Sequence, residues 1–476
     1  MIKTEKHSVL SSDNISSAIL KLALPTIFSQ LIATIYNLAD TFWVGKLNDS
    51  FQLAALSLVF PTQLAITAIG NLFGIGAGTC MSKALGANDE KRARQASSFA
   101  IYCGVLITLL ISLSAFLFEE SFLKLLGSIE SLDGYVMDYL RWVVILGAVP
   151  SVFNLIIANM IRSEGFSLHA SVGLSLGGVL NIVLDPFFVL PIGLNMEIEG
   201  AAIATLISNL VTTVYFVVMY LAIRKRSTVC FSPKIIGAAR ATGLDVILTG
   251  IPSALQTLMS AVSNLALNGL MIGYGEAAQA AIGITKKIDA IPFGAITGLS
   301  QGAAPLIAYN CGAKRYDKMK KTLKTALTYC VVLGCVFLAI IEFFSASIIS
   351  AFIKEGQSLS YGTSFLRLHC MALPFIAVTY ILVAFFQAVG AKGRAFALSI
   401  IRKGVVDIPL MYVLNAFFPI TGIVACQPIT DLISAISGVI MYVIWKHKFD
   451  ATHMNDRENV NIQNTASENP VEEPKD

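Results

Sequence analysis

The sequence predicts an all-α integral membrane protein: twelve transmembrane helices in two six-helix bundles related by a pseudo-two-fold axis along the membrane normal. Three observations predict it. Hydrophobic residues make up 55% of the chain and charged residues 13%, against roughly 25% charged in globular domains. Apolar runs of about 20 residues or more recur along the whole chain, long enough to cross a bilayer. Helices are the default there, because hydrocarbon offers backbone groups no water to bond. Finally, Gly76-Ala77-Gly78, followed by Gly86-Ala87 and the cluster Lys91, Arg92, Arg94, returns as Gly302-Ala303-Ala304, then Gly312-Ala313 and Lys314, Arg315, Lys318. One offset relates the two copies at both ends (302 − 76 equals 312 − 86).

The spans follow in order. The first, 18–45, comes after Lys3, Lys6 and Lys21 and shows no small-residue cleavage site, so a retained helix is expected rather than a signal peptide. The next five are 52–82, 95–118, 136–160, 169–191 and 199–223, and they complete an N-terminal lobe, 18–223. The stretch 224–243 holds Arg224, Lys225, Arg226, Lys234 and Arg240 and is expected as a linker. Spans 244–272, 278–310, 323–346, 364–389, 395–417 and 421–445 form the C-terminal lobe, 244–446. Residues 1–17 and the Asn- and Glu-rich 447–476 are polar ends, and the composition of the latter predicts a tail without regular structure.

Loop charges alternate with the spans. Basic clusters follow the second, fourth (Arg162), sixth, eighth and tenth (Lys392, Arg394), whereas the loops between carry Glu119, Glu120, Glu130, Asp133, Glu197, Glu199 and Glu276. Lys46, Lys124 and Lys354 are exceptions. The positive-inside rule then places both termini in the cytoplasm of a multi-pass cell-membrane protein. Each half has an even number of spans, so the repeats are parallel, and the cleft between two such lobes is where a substrate would be handled by alternating access. The other reading of the duplication is a symmetric scaffold of the kind some channels use. The net charge of +4 restates the cytoplasmic loops and points to no nucleic acid. The eight Cys lie in or near spans without metal-like spacing and read as small hydrophobes.

Ionisable groups inside a span are expensive and usually face a cavity or a partner. Asp40 lies 19 residues beyond Lys21, roughly 28 Å up the first span. Asp185 lies 16 residues beyond His169, roughly 24 Å up the fifth. Thr205 lies six residues below Glu199, roughly 9 Å down the sixth. Asn181 at i−4 shares the face of Asp185, and Tyr36 and Asn37 share that of Asp40. Two carboxylates, an amide and a hydroxyl at one depth can hold a proton or an oxygen-ligated cation such as Na⁺. Against this, Asp40 could be an interfacial residue reaching water, with Lys46 six positions on. Pro25 and Pro186 are expected kink sites.

The C-terminal half does not repeat the acidic pair, since the position corresponding to Asp40 falls near Leu267–Asn268, an uncharged pair. Lys286, Lys287 and Asp289 lie in the eighth span, and Arg402, Lys403 and Asp407 in the eleventh. Lys403 and Asp407 are spaced i,i+4, which fits a local ion pair; the other reading is a charged cavity wall that contacts substrate through Asp289 and Asp407. Asn154 and Asn159 are either uncharged cavity candidates or interhelical glue.

These residues resemble the multidrug and toxic compound extrusion (MATE) transporters. The resemblance is carried by Leu24-Pro25-Thr26, Tyr36-Asn37-Leu38-Ala39-Asp40, Gly70-Asn71 through Gly86-Ala87, Asn181-Ile182-Val183-Leu184-Asp185-Pro186, Glu199-Gly200 through Thr205, and Pro305 through Asn310 with Gly312-Ala313. It covers residues 18–446 and looks most like the DinF-type branch. It implies two six-helix lobes in a V (the MATE fold) and efflux of bulky cationic or amphipathic drugs in exchange for inward H⁺ or Na⁺. It implies no cofactor beyond that coupling ion. It also implies a cation site at Asp40, Asn181, Asp185 and Thr205, with Tyr36 and Asn37 beside it. A branch that relies on carboxylates in the seventh and tenth spans finds none here. The Lys286/Lys287/Asp289 and Arg402/Lys403/Asp407 groups are more charged than the family pattern.

The expected function is therefore a monomeric cation-coupled exporter of small molecules, embedded in the bilayer. The alternative is a lipid-linked saccharide flippase of the same superfamily, which would favour a cationic cavity. The acidic pair argues against it, while Lys286, Lys287 and Arg402 keep it open. No His-Glu-x-x-His, Gly-x-Ser-x-Gly or metal-like cluster points to an enzyme, and nothing resembles a channel's selectivity filter.

Overall fold

The computed structural model describes residues 9–47, 49–238, 240–353 and 356–468; Lys3, Lys6 and Lys354 lie outside them. It is all-helical. The N-terminal half comprises α1 Ile15–Gly45, α2 Ser50–Gly86, α3 Glu90–Leu117, the short α4 Glu119–Leu126, α5 Asp133–Leu140, α6 Ala148–Ser163, α7 Ser167–Val189 and α8 Glu197–Ile223. The C-terminal half comprises α9 Arg240–Ile272, α10 Glu276–Gly312, α11 Tyr316–Ser350, α12 Gln357–Cys370, α13 Leu373–Val389, α14 Lys392–Ile400, α15 Asp407–Phe417 and α16 Thr421–Glu468. Among the described residues, ten helical stretches are long and apolar enough to cross a membrane, with α12 and α13 together forming one of them. The pair Asp133–Leu146 and Ala148–Ser163, bent by 46°, makes an eleventh. The expected span 395–417 is α14 and α15 joined by a π-helical turn at Ile401–Val405, and buried charges there lower its apolarity.

Each expected span coincides with helix. Several helix ends are set by caps: Asn14 accepts from Ser17 N, Asp49 from Phe51 N and Asp89 from Arg92 N. These bonds satisfy donors that a first turn leaves open. The sharp bend falls at Gly147, after the π-helical turn Arg141–Leu146. A π-turn is one of the recognised causes of a kink. By contrast, α1 and α7 run unbroken through Pro25 and Pro186. The tail differs from expectation. α16 continues to Glu468, because no Gly or Pro occurs between Gly438 and Pro470 to stop it. Residues 469–476 lie outside the described set.

Two large cores match the two halves. One joins α2, α3, α5, α6, α7 and α8 around Phe73, Tyr139, Ile156 and Phe216. The other joins α10, α11, α12 and α13 around Ile307, Leu373 and Phe386 and takes in Ile19 and Leu22 of α1. Large apolar side chains such as Phe28, Leu110, Val214, Phe343 and Ile440 are exposed, as a surface facing acyl chains requires. The linker lies on the N-terminal lobe, with Ser98 Oγ donating to Ser232 O at 2.7 Å and Tyr102 to Phe231 O at 2.7 Å.

The lobes meet through crossed helices packed on glycine. Gly298 and Gly302 of α10 lie against Ile27 and Ala23 of α1; by the repeat, Gly76 of α2 lies against Val246 and Gly250 of α9. All these approaches fall in the half of the bundle that carries the start of α1 and the end of α10. The seam is therefore shut at the face near the described N-terminus.

Candidate functional site

The N-terminal lobe gathers Asp40, Asn181, Asp185 and Thr205 by glycine-mediated packing. A Cβ on Gly173 would strike Phe216 at 2.6 Å, and one on Gly177 would strike the Thr212 hydroxyl. α7 and α8 thus lie close enough for Asn181, one turn further on, to reach Thr205. Small residues at four-residue spacing allow such an approach in membranes. On its other side α7 meets α1. A Cβ on Gly178 would lie 2.8 Å from Ile32 Cγ2 and 3.3 Å from Tyr36 Cδ1. α1 and α7 are the first and fifth spans and run parallel. From the level of Gly178, Asp40 and Asp185 both lie roughly 9–11 Å further along. The two carboxylates share one depth because of that crossing.

Asn181 Nδ2 donates to Asp185 Oδ1 at 3.2 Å and to Thr205 Oγ1 at 3.3 Å. Tyr139, which the sequence did not single out, brings its hydroxyl to Asp40 Oδ2 at 3.5 Å and accepts from Gln63 Nε2 at 2.9 Å. Asp185 is fully buried and Asn181 is 2% exposed. Three buried acceptors have no donor: Asp40 Oδ1, Asn181 Oδ1 and Asp185 Oδ2. Among the described residues, neither aspartate has an ion pair. Orphaned carboxylate and amide oxygens on parallel helices suit a proton or a small oxygen-ligated cation. The described residues hold no cluster of three His, Cys, Asp or Glu of the kind that would hold a metal by those side chains alone. Tyr36 packs on Gly178. The Asn37 amide instead returns to Ala33 O at 2.8 Å on its own helix.

The remaining sequence candidates separate. Asn154 is buried and ties α6 to α8, donating to Asn209 O at 2.9 Å and accepting from Thr213 at 2.9 Å. Asn159 donates to Leu155 O at 2.9 Å and accepts from Arg162 at 3.0 Å. Arg162, itself 3% exposed, also reaches Gln301 of α10 at 3.4 Å. Asp289 Oδ2 lies 3.3 Å from His369 Nε2. Asp407 is bonded to Ser263 and lies 3.2 Å from Lys403. Lys403 also donates to Gln427 at 2.6 Å. Arg402 pairs with Asp431 at 2.5 Å and donates to Tyr380 at 3.2 Å, and Gln427 bonds to Asp431. Sequence reading missed Asp431 and His369. A lone carboxylate well inside the last span was the signal for the first, since such a group demands a buried partner. No comparable signal marked His369.

Known proteins can be set beside this geometry. A family model described as MatE matches residues 25–187 and again 252–413. The multidrug export protein MepA of Staphylococcus saprophyticus is 29% identical over 447 residues, covering 94% of this chain and 98% of that one. MepA of Staphylococcus haemolyticus is 28% identical over 444 residues, covering 93% and 96%. A multidrug resistance MATE family transporter of the MOP superfamily, solved in an outward-facing conformation, superposes with a TM-score of 0.87 at 24% identity, covering 94% of this chain and 99% of that one. A MOP superfamily transporter from Pyrococcus furiosus does so with a TM-score of 0.84 at 24% identity, covering 92% and 97%. The two stretches matched by the family model are offset by 252 − 25 at their starts and 413 − 187 at their ends. To within one position, that is the duplication the glycines mark in the crossed helices. With its two six-helix lobes, this multi-pass membrane protein belongs to the MatE family of transporters, not to an enzyme family.

Proposed function

We propose that this protein is a multidrug efflux antiporter of the cell membrane, with both termini cytoplasmic. It exports bulky cationic or amphipathic small molecules in exchange for inward H⁺ or Na⁺ by alternating access of the two lobes. The observation that carries the coupling site is the trio of buried, donorless oxygens on Asp40, Asn181 and Asp185. The export of drugs rests on likeness to the MepA proteins.

In the state described, the lobes are closed at the face assigned to the cytoplasm. A substrate cation in the cleft and the charged aspartates attract each other. Binding of a proton or Na⁺ at Asp40 and Asp185 removes that attraction, so substrate leaves outward. The ion then departs inward after the lobes rock. Thr205 and Asn181 orient Asp185, and Tyr139 orients Asp40.

The flippase alternative loses one of its three supporting cations. Arg402 is buried and already paired with Asp431, so it is not free to hold an anionic lipid headgroup, and Lys286 and Lys287 remain as its support.

The test is efflux of ethidium from everted membrane vesicles, in wild type, Asp40→Asn and Asp185→Asn, under an imposed proton or Na⁺ gradient. Loss of transport in both variants at normal expression is the expected result, and the gradient that drives wild type names the ion. Full activity in both variants sinks the site.

A further inference from the structure

The repeat allows each polar contact in one lobe to be compared with its counterpart in the other. Landmarks outside the site fix the register. Gly76 and Gly302 set one offset (302 − 76), which serves the first five spans of each half. Gly200 and Gly422 set a slightly smaller one (422 − 200) for the sixth, since the loop before that span is shorter in the second half. By the first offset, Asn37, Asn154 and Asn181 correspond to Ser263, Tyr380 and Asp407; by the second, Thr205 and Asn209 correspond to Gln427 and Asp431.

Two sets of contacts correspond as well, whereas Asn37 donates to Ala33 O on its own helix and Ser263 donates to Asp407. In the N-terminal lobe, Asn181 bonds directly to Thr205 and Asn154 to the backbone of Asn209. In the C-terminal lobe, the matching pairs are bridged by cations of the chain itself. The Lys403 ammonium joins Asp407 at 3.2 Å to Gln427 at 2.6 Å, and the Arg402 guanidinium joins Asp431 at 2.5 Å to Tyr380 at 3.2 Å. The N-terminal residues at the positions of these two cations are Leu176 and Gly177, which bring no charge. Lys403 is 6% exposed, Asp407 1% and Gln427 7%. Ser263 completes the arrangement by donating to Asp407.

We propose that the C-terminal lobe contains a latent monovalent-cation site, built from Asp407, Gln427 and Ser263, in which the Lys403 ammonium is a tethered substitute for the ion. The proposal rests on reading the N-terminal cluster as the exchanging site. Its consequence is that one lobe exchanges an ion and the other is permanently loaded. Each oxygen that bonds the ammonium is also a hard ligand suited to Na⁺. An i,i+4 ion pair kept only for helix stability requires neither Gln427 nor the repeat relation to the opposite lobe.

Removing the ammonium converts a closed site into an open one. The measurement is the thermal midpoint of the purified full-length protein in NaCl and in choline chloride at equal ionic strength. Every variant is made in an Asp185→Asn background, which silences the N-terminal cluster. Lys403→Ala is expected to melt higher in Na⁺ than in choline by at least about 2 °C. Asp185→Asn with Lys403 intact is expected to show no difference, and adding Asp407→Asn is expected to abolish the gain. Lys403→Ser is the second variant, since its hydroxyl offers Asp407 a partner and Na⁺ a ligand. Equal midpoints in both salts for the alanine and serine variants overturn the proposal, as does failure of both to fold in either salt. Recovery of folding in Na⁺ alone supports it. A wrong N-terminal reading is seen separately, as full efflux by Asp185→Asn.

Discussion

Gly86 and Gly312, equivalent residues of the two repeats, are each seated on the other's helix. A Cβ on Gly86 would strike the Tyr309 carbonyl oxygen, and one on Gly312 would strike that of Lys83. Lys83 and Tyr309 are themselves equivalent (309 − 83 equals 312 − 86), so the pseudo-two-fold axis passes between the two glycines. A backbone carbonyl cannot swing aside as a side chain can. Gly312→Ala therefore penalises the closed seam by about 1–3 kcal/mol, roughly 5- to 150-fold in the closed-to-open ratio. Cys80 lies 3.9 Å from Thr249 across the same seam. Its labelling by maleimide, in a background with the other cysteines removed, should rise by such a factor while ethidium efflux falls. Unchanged labelling would show that the crossing tolerates the methyl group.

Asp245 of α9 fastens the same face. It is paired with Arg92 at the start of α3 and lies 2.5 Å from Lys392 of α14. The first contact crosses the lobe boundary. Arg92 is half exposed, and such pairs contribute about 1 kcal/mol or less. Asp245→Asn should raise Cys80 labelling only about 2- to 5-fold, and the effect should shrink as salt screens the remaining charges. An effect as large as that of Gly312→Ala, or one indifferent to salt, would contradict this assignment.

Arg402 and Asp431 present the opposite energetic case. Both are fully buried and hydrogen-bonded, so losing one partner leaves an uncompensated charge. Asp431→Ala should destabilise the protein by about 3–5 kcal/mol, visible as a lower melting temperature and poor expression. Arg402→Met with Asp431→Leu removes both charges and should recover much of that loss. If the double variant is no better than Asp431→Ala, the pair has a role beyond mutual neutralisation.

Apolar run length, loop charge and the internal repeat were legible in the sequence because each is local or periodic, and helices formed wherever they pointed. The candidate cluster was legible through depth. Counting residues from the membrane ends brings Asp40, Asp185 and Thr205 to one level, and the Gly178 and Gly177 crossings put them there. Tyr139 was not legible, because its approach to Asp40 depends on how α5 packs on α2 and α8. The bend at Gly147 was also hidden, since a π-turn has no residue signature as plain as proline. Lys403–Asp407 was legible as an i,i+4 pair. Its further bond to Gln427 required the fold, because it joins α16 to the π-turn before α15.

Thr205 offers the sharpest separation of coupling from stability at the N-terminal cluster. Its hydroxyl accepts from Asn181 Nδ2 at 3.3 Å, while the same amide nitrogen reaches Asp185 Oδ1 at 3.2 Å. Thr205→Val keeps shape and apolar contacts but removes the acceptor, so Asn181 loses one of the two bonds that hold its orphaned Oδ1 beside Asp185. A hydrogen bond of this kind contributes about 0.5–1.5 kcal/mol net. That predicts roughly 2- to 10-fold more H⁺ or Na⁺ for half-maximal efflux, with little change in melting temperature. Thr205→Ser restores the acceptor and should behave as wild type. Tyr139→Phe removes the donor facing Asp40 and should shift the ion requirement in a similar range. If Thr205→Val leaves ion dependence unchanged and only lowers expression, the hydroxyl is an interhelical contact, and the ion is held by the two carboxylates without it.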